Sequence, residues 1–534
     1  MVSNIPIHGP SDNANDIENN GLRAIGLSKG DARNEKRLEN FGISVSNPEL
    51  ITVRGRRMSE PEIRYNRGHV IKKSNWNLAH IQLAAKTAEK RGLCVTIGLG
   101  KGDVARLKNT LQQLRDMLKE NGVFITTLDS SIVEITNNKT ELESKLRDVF
   151  ERKVKKVDFL LVVLSKKESF TYNCVKRLGD IEYGVPTLCI FKNNLVPKPP
   201  PNNSSSRPSG NSSRNAPGDT PRISGNLVGN LALKLNLKFS NNNQIVNLAK
   251  LRGKLNLRET MIVGIDVTHS PTPGQPSIAG MVASIDENLG QWPAVLRHQD
   301  KPRVEMVTRL EEMLETRLTL WCSRHKSYPK NIIVYRDGVS EGQYELVIKE
   351  ELPKLKEACK KLYTPAHMPK ITIVVVGKRH HTRFYAGMHK GNPTPGTVVD
   401  RGVTEAVNWD FFLQSHRPIR GTARPAHYFV VHDEIFKDTF KGENENVASM
   451  LEVFTHSLCF IFGRSTNPVS ICTPAYYADI ACSRARCYVA ADVAAGATDA
   501  AAQVSSSASD EQKPPPGSNG LLLHPKMKDS MFYI

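Results

Sequence analysis

The sequence predicts an α/β protein built from two successive sheet-bearing units. Three observations lead there. Apolar runs of strand length recur, such as FLLVVL (159–164) and ITIVVV (371–376). Between them lie stretches whose apolar residues fall three and four apart, the spacing of amphipathic helices. Apolar residues make up 39% and charged residues 24% of the 534, ordinary proportions for a chain that buries real cores. Wholly apolar strands separated by helices form a mostly parallel sheet covered on both faces.

Residues 1–78 are polar and weakly periodic, with short strand-like pieces at FGISV (41–45) and LITV (50–53). They read as a linker and the remnant of an upstream domain, so the chain is expected to be a piece of a longer protein. From residue 79 the alternation begins. LCVTIGL (93–99) is a buried strand, and 105–120 is a helix with Leu107, Leu111, Leu114 and Leu118 on one face. VFITTL, a helix near 139–154, FLLVVL and TLCIF continue it. Seventeen of the twenty residues 199–218 are Pro, Ser, Asn or Gly, too few apolar groups to build a core, so a disordered insertion is expected over 197–225. The helical pattern resumes at NLVGNLALKLNLKF (226–239). The insertion therefore interrupts one domain, assigned to 79–245, and does not separate two.

The second unit is assigned to 246–534. MIVGID (261–266) is a strand and IAGMVASI (278–285) its hairpin partner. A helix is expected over 303–321, with Val304, Val307, Leu310, Leu314, Leu318 and Trp321 at helical spacing. NIIVY (331–335), a helix from 341, ITIVVV, HYFVV (427–431) and a helix at 445–461 follow. The Ala, Ser and Pro of 489–520 predict a second disordered insertion.

Lys and Arg number 73 against 54 Asp and Glu, a net charge of +19. A basic body of this size suggests a polyanion partner, most simply nucleic acid. No apolar run reaches the length of a membrane span, and the N-terminus lacks the features of a signal peptide, so no membrane association is expected. The nine cysteines form no CxxC pair. They read as reduced thiols of an intracellular protein and not as a zinc site or a disulfide framework.

Two groups of residues carry candidate chemistry. Asp266 ends one buried strand and Asp337 another. Acids just past adjacent strand ends project into the crevice where α/β sheets place their sites. Two such acids repel unless a cation lies between them, and Mg²⁺ prefers carboxylate oxygen. Two metals about 3.5–4 Å apart can activate a water and stabilise a leaving oxygen. The competing reading is that each Asp caps a turn or pairs with an arginine such as Arg336. In the first unit Tyr172 and Lys176 share a helix face, and Lys234 and Lys238 repeat that spacing. Converging, they would hold a terminal phosphate with the ring stacked on the first base. Taken alone, such lysine pairs are solvated faces.

Four longer segments narrow the choice: GIDVTH, YRDGVSEGQ, GKRHHTRF (377–384) and TPAYYADIACSRAR (473–486), in this order. Together they resemble the signature of the PIWI domain of eukaryotic Argonautes. From about residue 40 to 534 the chain resembles the linker, MID and PIWI parts of that family. The Asn/Ser/Pro-rich insertion and the Asp of YYAD resemble the quelling-type Argonautes of filamentous fungi. The resemblance implies a Rossmann-like MID domain with a parallel sheet, followed by a ribonuclease-H-like PIWI domain.

By position, the family's catalytic acids fall on Asp266, Asp337 and Asp479, with Glu305 as the inserted fourth. The three aspartates are implied to hold two Mg²⁺ or Mn²⁺ ions. Many relatives carry His in place of Asp479, and Asp is an equally good ligand for a hard metal. Read without the resemblance, Glu305 is a glutamate early in a helix, favoured by the dipole. Tyr172, Lys176, Lys234 and Lys238 match the MID pocket for a guide's 5′ phosphate, with Arg484 contributed from PIWI. Leu188 stands where the family often has glutamine, and leucine cannot hydrogen-bond a phosphate. Lys378, Arg379 and Arg383 are expected contacts to the nucleic-acid backbone.

The implied function is a small-RNA-guided endoribonuclease of gene silencing that leaves a 3′-hydroxyl and a 5′-phosphate. Its expected partners are a small guide RNA, complementary target or passenger RNA and silencing effector proteins, with the protein monomeric and cytoplasmic. Two other readings stand beside it: a guide-loaded scaffold that recruits partners without cutting, and an unguided ribonuclease-H-like nuclease. A PAZ domain is not recognisable in the sequence.

Overall fold

Unbroken runs of Val, Ile and Leu form strands only where both faces of a sheet are covered. The computed structural model contains two such sheets. It describes the chain except residues 1–7, 27–31, 45–49, 129–131, 137, 197–222, 249–253, 271–275, 302, 442–445 and 503–522. The insertion expected over 197–225 lies outside the described residues as far as 222; its last residues are ordered, with Ile223 buried and a helix starting at Gly225.

The first unit runs β1 (Lys90–Ile97), α1 (Lys101–Glu120), β2 (Ile125–Thr126), β3 (Ile132–Ile135), α2 (Lys139–Lys153), β4 (Phe159–Leu164), α3 (Ser169–Arg177), β5 (Thr187–Phe191) and α4 (Gly225–Lys238). Its sheet has the order β2-β1-β4-β5, with β3 also on β1, and every pairing is parallel. All six residues of β4 are buried, as its wholly apolar sequence requires. Helix α1 buries Leu107, Leu111, Leu114 and Leu118 on its inner face.

The second unit runs β6 (Thr260–Thr268), β7 (Ile278–Ala283), β8 (Ala294–His298), α5 (Leu310–His325), β9 (Asn331–Asp337), α6 (Leu352–Leu362), β10 (Lys370–Gly377), β11 (Thr397–Val399), β12 (Trp409–Gln414), β13 (Ala426–Asp433), α7 (Val447–Leu458) and α8 (Thr473–Ala502). Its sheet has the order β11-β12-β13-β10-β9-β6-β7-β8. The central strands β6, β9 and β10 are parallel, and the flanking pairings are antiparallel. A two-residue strand, Arg56–Arg57, pairs with β11 at one edge and ties the N-terminal segment to this unit.

Alternation along the central strands decides which side chains can meet. Met261, Val263 and Ile265 of β6 and Ile332 and Val334 of β9 face the cluster that contains α5 and α6 residues. Ile262, Ile333 and Tyr335 face the opposite cluster, which contains Ala475, Ala478 and Ala481 of α8. Helix α8 approaches β6 so closely that a Cβ on Gly264 would lie 2.0 Å from the carbonyl oxygen of Pro474.

Several expectations are corrected. The pieces at 41–45 and 50–53 are not strands in their described residues. Phe41 and Ile51 are 74% and 72% exposed, so their apolar side chains are not held in a sheet. A helix, Ala32–Asn40, precedes them. The helix expected from 303 starts at Leu310. Its first turn does not form because the backbone is bonded elsewhere. Val307 N–H donates to Glu351 at 2.9 Å, Lys354 donates to the Val307 carbonyl, and Arg336 donates to the Glu305 carbonyl. The insertion expected from 489 begins as helix, since α8 continues to Ala502. Alanine, frequent there, is the best helix former. Residues 503–522 lie outside the described residues.

Gly264→Ala should be strongly destabilising, because the methyl meets backbone that cannot rotate away. Urea denaturation should show a loss of about 3 kcal/mol or more. A variant as stable as the parent would contradict the packing of α8.

Candidate functional site

Strand register builds the acidic site. Ile265 pairs with Arg336, which sets Asp266 and Asp337 side by side at the C-terminal ends of β6 and β9. Both lie on the face that carries α8, and α8 supplies Asp479. Asp266 is buried, Asp337 is partly buried and Asp479 is exposed, so the group opens on one side.

Arg336 alternates to the other face and does not neutralise the aspartates by pairing with them. Fully buried, it ion-pairs with Glu351 at 3.0 Å and with Glu305 at 3.0 Å. Its guanidinium also donates to the Asp337 backbone carbonyl. The other Glu305 oxygen lies 3.1 Å from His269 Nε2. Glu305 thus sits in an irregular segment ahead of α5, clamped from two sides, and not in the first turn of a helix. Gly338, at φ +91°, marks where it points: a Cβ there would lie 3.0 Å from Glu305 Oε1 and 3.4 Å from Asp266 Oδ1. The four predicted acids are therefore gathered at one strand edge.

Their electrostatics are self-repelling. Burial, then Asp337 and Asp479, push the Asp266 carboxyl up to about 8. Asp337 is pushed up to about 6 by burial and by Asp479, with the Gly338 N–H pulling against it. Burial also raises Asp479, and Arg379 opposes it. Hard carboxylate oxygens with surplus negative charge suit a divalent cation in kind and charge. Among the described residues no three His, Cys, Asp or Glu already stand at metal-ligating spacing.

The three basic residues expected on this side divide. Arg379 is exposed, and its charge reaches Asp337 and Asp479. Lys378 bonds Ser470 Oγ and is held down to about 8 by burial and by Arg424. Arg383 donates to the carbonyls of His380 and Thr382. Only Arg379 of the three turns outward at the acids.

The second site is a cavity of about 320 Å³ between the units. Tyr172, Lys176, Leu188, Lys234 and Arg484 line it, as do Arg464 and Tyr533. Four of the five predicted phosphate residues therefore meet there. The fifth, Lys238, does not line the cavity. Its ammonium donates to the Phe532 carbonyl at 2.8 Å and holds the C-terminal segment behind the wall. Lys176 donates to the carbonyl and hydroxyl of Thr187 and lies 5.3 Å from the centre of the Tyr172 ring. Arg484 pairs with Asp180 at 2.7 Å, and the Tyr488 hydroxyl donates to the same carboxylate oxygen. Leu188 lines the cavity too, and its side chain carries no hydrogen-bonding group.

Cations outnumber anions around this space. Burial lowers Lys176, Lys234 and Lys238, and neighbouring Arg and Lys charges add to the effect; Lys234 falls to about 8. Arg464 and Asp180 are the partners that sequence reasoning missed. Asp180 lay in plain view in SFTYNCVKRLGD, whereas the loop that carries Arg464 has no periodicity to betray it. Arg464 also lines an adjoining cavity of about 680 Å³ with Asn226, Asn230 and Asn467.

Residues 159–490 match the family described as the Piwi domain. The chain is 31% identical over 484 residues to Protein argonaute 7 of Arabidopsis thaliana, covering 87% of this chain and 43% of that protein. It is similar in fold to the crystal structure of Kluyveromyces polysporus Argonaute with a guide RNA, with TM-score 0.79 at 23% identity over 99% of this chain and 61% of that one. It is also similar to the MID–PIWI domains of N. crassa QDE-2, with TM-score 0.55 at 26% identity over 85% of this chain and 100% of that one. The chain spans less than half the length of the curated relatives it matches.

The raised aspartates make the metal-free protein sensitive to alkali. A carboxyl whose folded-state value exceeds its unfolded value of about 4 stabilises at low pH and loses that contribution as pH rises. For Asp266 the window runs from about 4 to about 8. In EDTA, the melting temperature should fall across this window, and Asp266→Asn should flatten the fall. An identical pH profile in the variant would show that neither burial nor the neighbouring carboxylates raise Asp266.

Proposed function

The chain belongs to the Argonaute/Piwi family of small-RNA-guided silencing proteins, and we propose that it is an RNA-guided endoribonuclease. The observation that carries this reading is the pairing of two oppositely charged sites on one helix. Asp479 and Arg484 both belong to α8, the first beside Asp266 and Asp337 and the second in the cationic cavity. One site suits an anionic chain end, and the other suits the metals that phosphodiester cleavage requires.

In this reading the cavity holds the 5′ phosphate of a guide RNA. Lys176, Lys234 and Arg484 supply charge-assisted hydrogen bonds, Arg464 joins them, and the Tyr172 ring meets the first base. Lys238 acts from behind by fixing the Phe532–Tyr533 wall. A structural relative solved with a guide RNA supports RNA as the ligand. The adjoining cavity, sharing Arg464, offers amide side chains to the nucleotides that follow. Sequence is read by base pairing with a target or passenger strand, and the protein senses phosphates and duplex shape.

Asp266, Asp337 and Asp479 would hold two Mg²⁺ or Mn²⁺ ions, which when bound supply an activated water and charge for the leaving oxygen. Arg336 and His269 hold the Glu305 carboxylate at the same point, so that four acids face the scissile phosphate. Arg379, at the open edge, meets the phosphate charge. The products are a 3′-hydroxyl and a 5′-phosphate.

Two measurements test this. A guide-loaded preparation with labelled complementary RNA should cut in Mg²⁺ and fail in EDTA. Asp337→Ala should lose at least about a thousandfold in rate yet still bind guide; full cutting by that variant rules out the mechanism. No cutting by the loaded parent chain would leave the non-cleaving scaffold as the better reading. Separately, Lys234→Ala should weaken 5′-phosphorylated RNA by about 10- to 100-fold, the equivalent of one charged hydrogen bond, and 5′-hydroxyl RNA little. Equal losses for both RNAs would mean that the cavity does not hold the phosphate.

A further inference from the structure

The cationic cavity contains a second kind of chemistry. All nine cysteines are free, and six are buried. Of the three that are partly exposed, Cys189, Cys322 and Cys487, two line this one cavity. Cys189 follows Leu188 on β5, and Cys487 lies one turn beyond Arg484 on α8. The fold thus brings two accessible thiols from separate units to a space edged by Lys176, Lys234, Arg464 and Arg484. Positive charge concentrates anions near a thiol and favours the thiolate that reacts. Burial pushes the Cys487 thiol up, while Arg484 and Lys176 pull it back.

We propose that Cys189 and Cys487 form a modification site for small anionic disulfides, and that capping them closes the cavity to a phosphorylated RNA end. In the reaction a cysteine gives its proton to solvent and the thiolate attacks one sulfur of the disulfide. That S–S bond breaks, a new one joins the reagent to the cysteine, and the other half leaves as a thiolate that takes up a proton. The adduct carries negative charge into the space and occupies the cations that a phosphate would meet. An excess of free thiol runs the exchange backwards. The second half of the proposal rests on the phosphate reading of the cavity; the first half does not.

The test uses the full chain without RNA at pH 8, treated with anionic methanethiosulfonate ethylsulfonate or its cationic trimethylammonium analogue. Mass spectrometry follows each cysteine, with Cys322 as the internal reference. The anionic-to-cationic rate ratio at Cys189 and Cys487 should exceed that at Cys322 by about tenfold, the lower end of electrostatic steering. Equal ratios at all three thiols overturn the site. Protein capped with oxidised glutathione, an anionic disulfide, should then bind 5′-phosphorylated RNA at least about tenfold more weakly, with recovery in dithiothreitol. The double variant Cys189→Ser/Cys487→Ser should show no response to the disulfide, whatever its starting affinity. Unchanged binding by fully capped protein, in a preparation that distinguishes 5′-phosphate from 5′-hydroxyl RNA, overturns the proposal. If untreated protein makes no such distinction, it is the phosphate reading that has failed, and the labelling ratios alone decide the thiol site.

Discussion

Helix α8 can rest on the central sheet only because Gly264 has no side chain where the Pro474 carbonyl lies. Both sites depend on that contact. Helical spacing puts Asp479, Cys482 and Arg486 on one face, where the Cys482 thiol donates to the Asp266 carbonyl and Arg486 approaches Thr268. Arg484 and Tyr488 share another face, where both bind Asp180 of the first unit. A small shift or rotation of α8 would move an acid out of one site and a cation out of the other together. The same helix thereby ties the geometry of the acidic cluster to that of the cationic cavity.

Each site stores charge that its own residues do not neutralise. Asp266 and Asp337 are raised because carboxylates crowd a poorly solvated edge; Lys176, Lys234 and Lys238 are lowered because cations crowd a buried one. Neither arrangement favours the folded state by itself, since a buried like-charge cluster costs solvation and its hydrogen bonds bring no opposite charge. What relieves the acids is a cation, and what relieves the lysines is an anion. A phosphodiester chain together with divalent metal is one ligand system that satisfies both. The Arg484–Asp180 pair limits the cost on the basic side, with Tyr488 completing the carboxylate's hydrogen bonds.

The buried Arg336 shows how a structural ion pair serves a functional residue. Its charge is compensated by Glu351 and Glu305, and its remaining N–H groups bond backbone carbonyls. A guanidinium suits this role because its planar fork reaches several acceptors at once. The result is an irregular segment at 303–309 whose backbone is claimed by side chains, so a helical pattern in the sequence does not become a helix there. Glu305 is placed by this network and not by a secondary-structure element.

The alternation of strands and helices is legible in the sequence, since apolar runs and helical spacing are local properties. The sequence also identifies the acids at the ends of β6 and β9, the Tyr172/Lys176 face and the Lys234/Lys238 face. Period-two alternation along IIVYRD implies that Arg336 and Asp337 point to opposite faces. Which of these groups meet is settled by the packing of the elements. Lys238 left the cavity wall because the Phe532 carbonyl claimed its ammonium, and Arg464 entered because a loop without periodicity folds back over the first unit. Cys189 and Cys487 became neighbours of one cavity although nothing in their local sequence marks them. Short-range pattern specifies elements, because it needs only the geometry of one helix or strand. Sites depend on long-range contacts between elements, and those are set by how closely the backbones can approach.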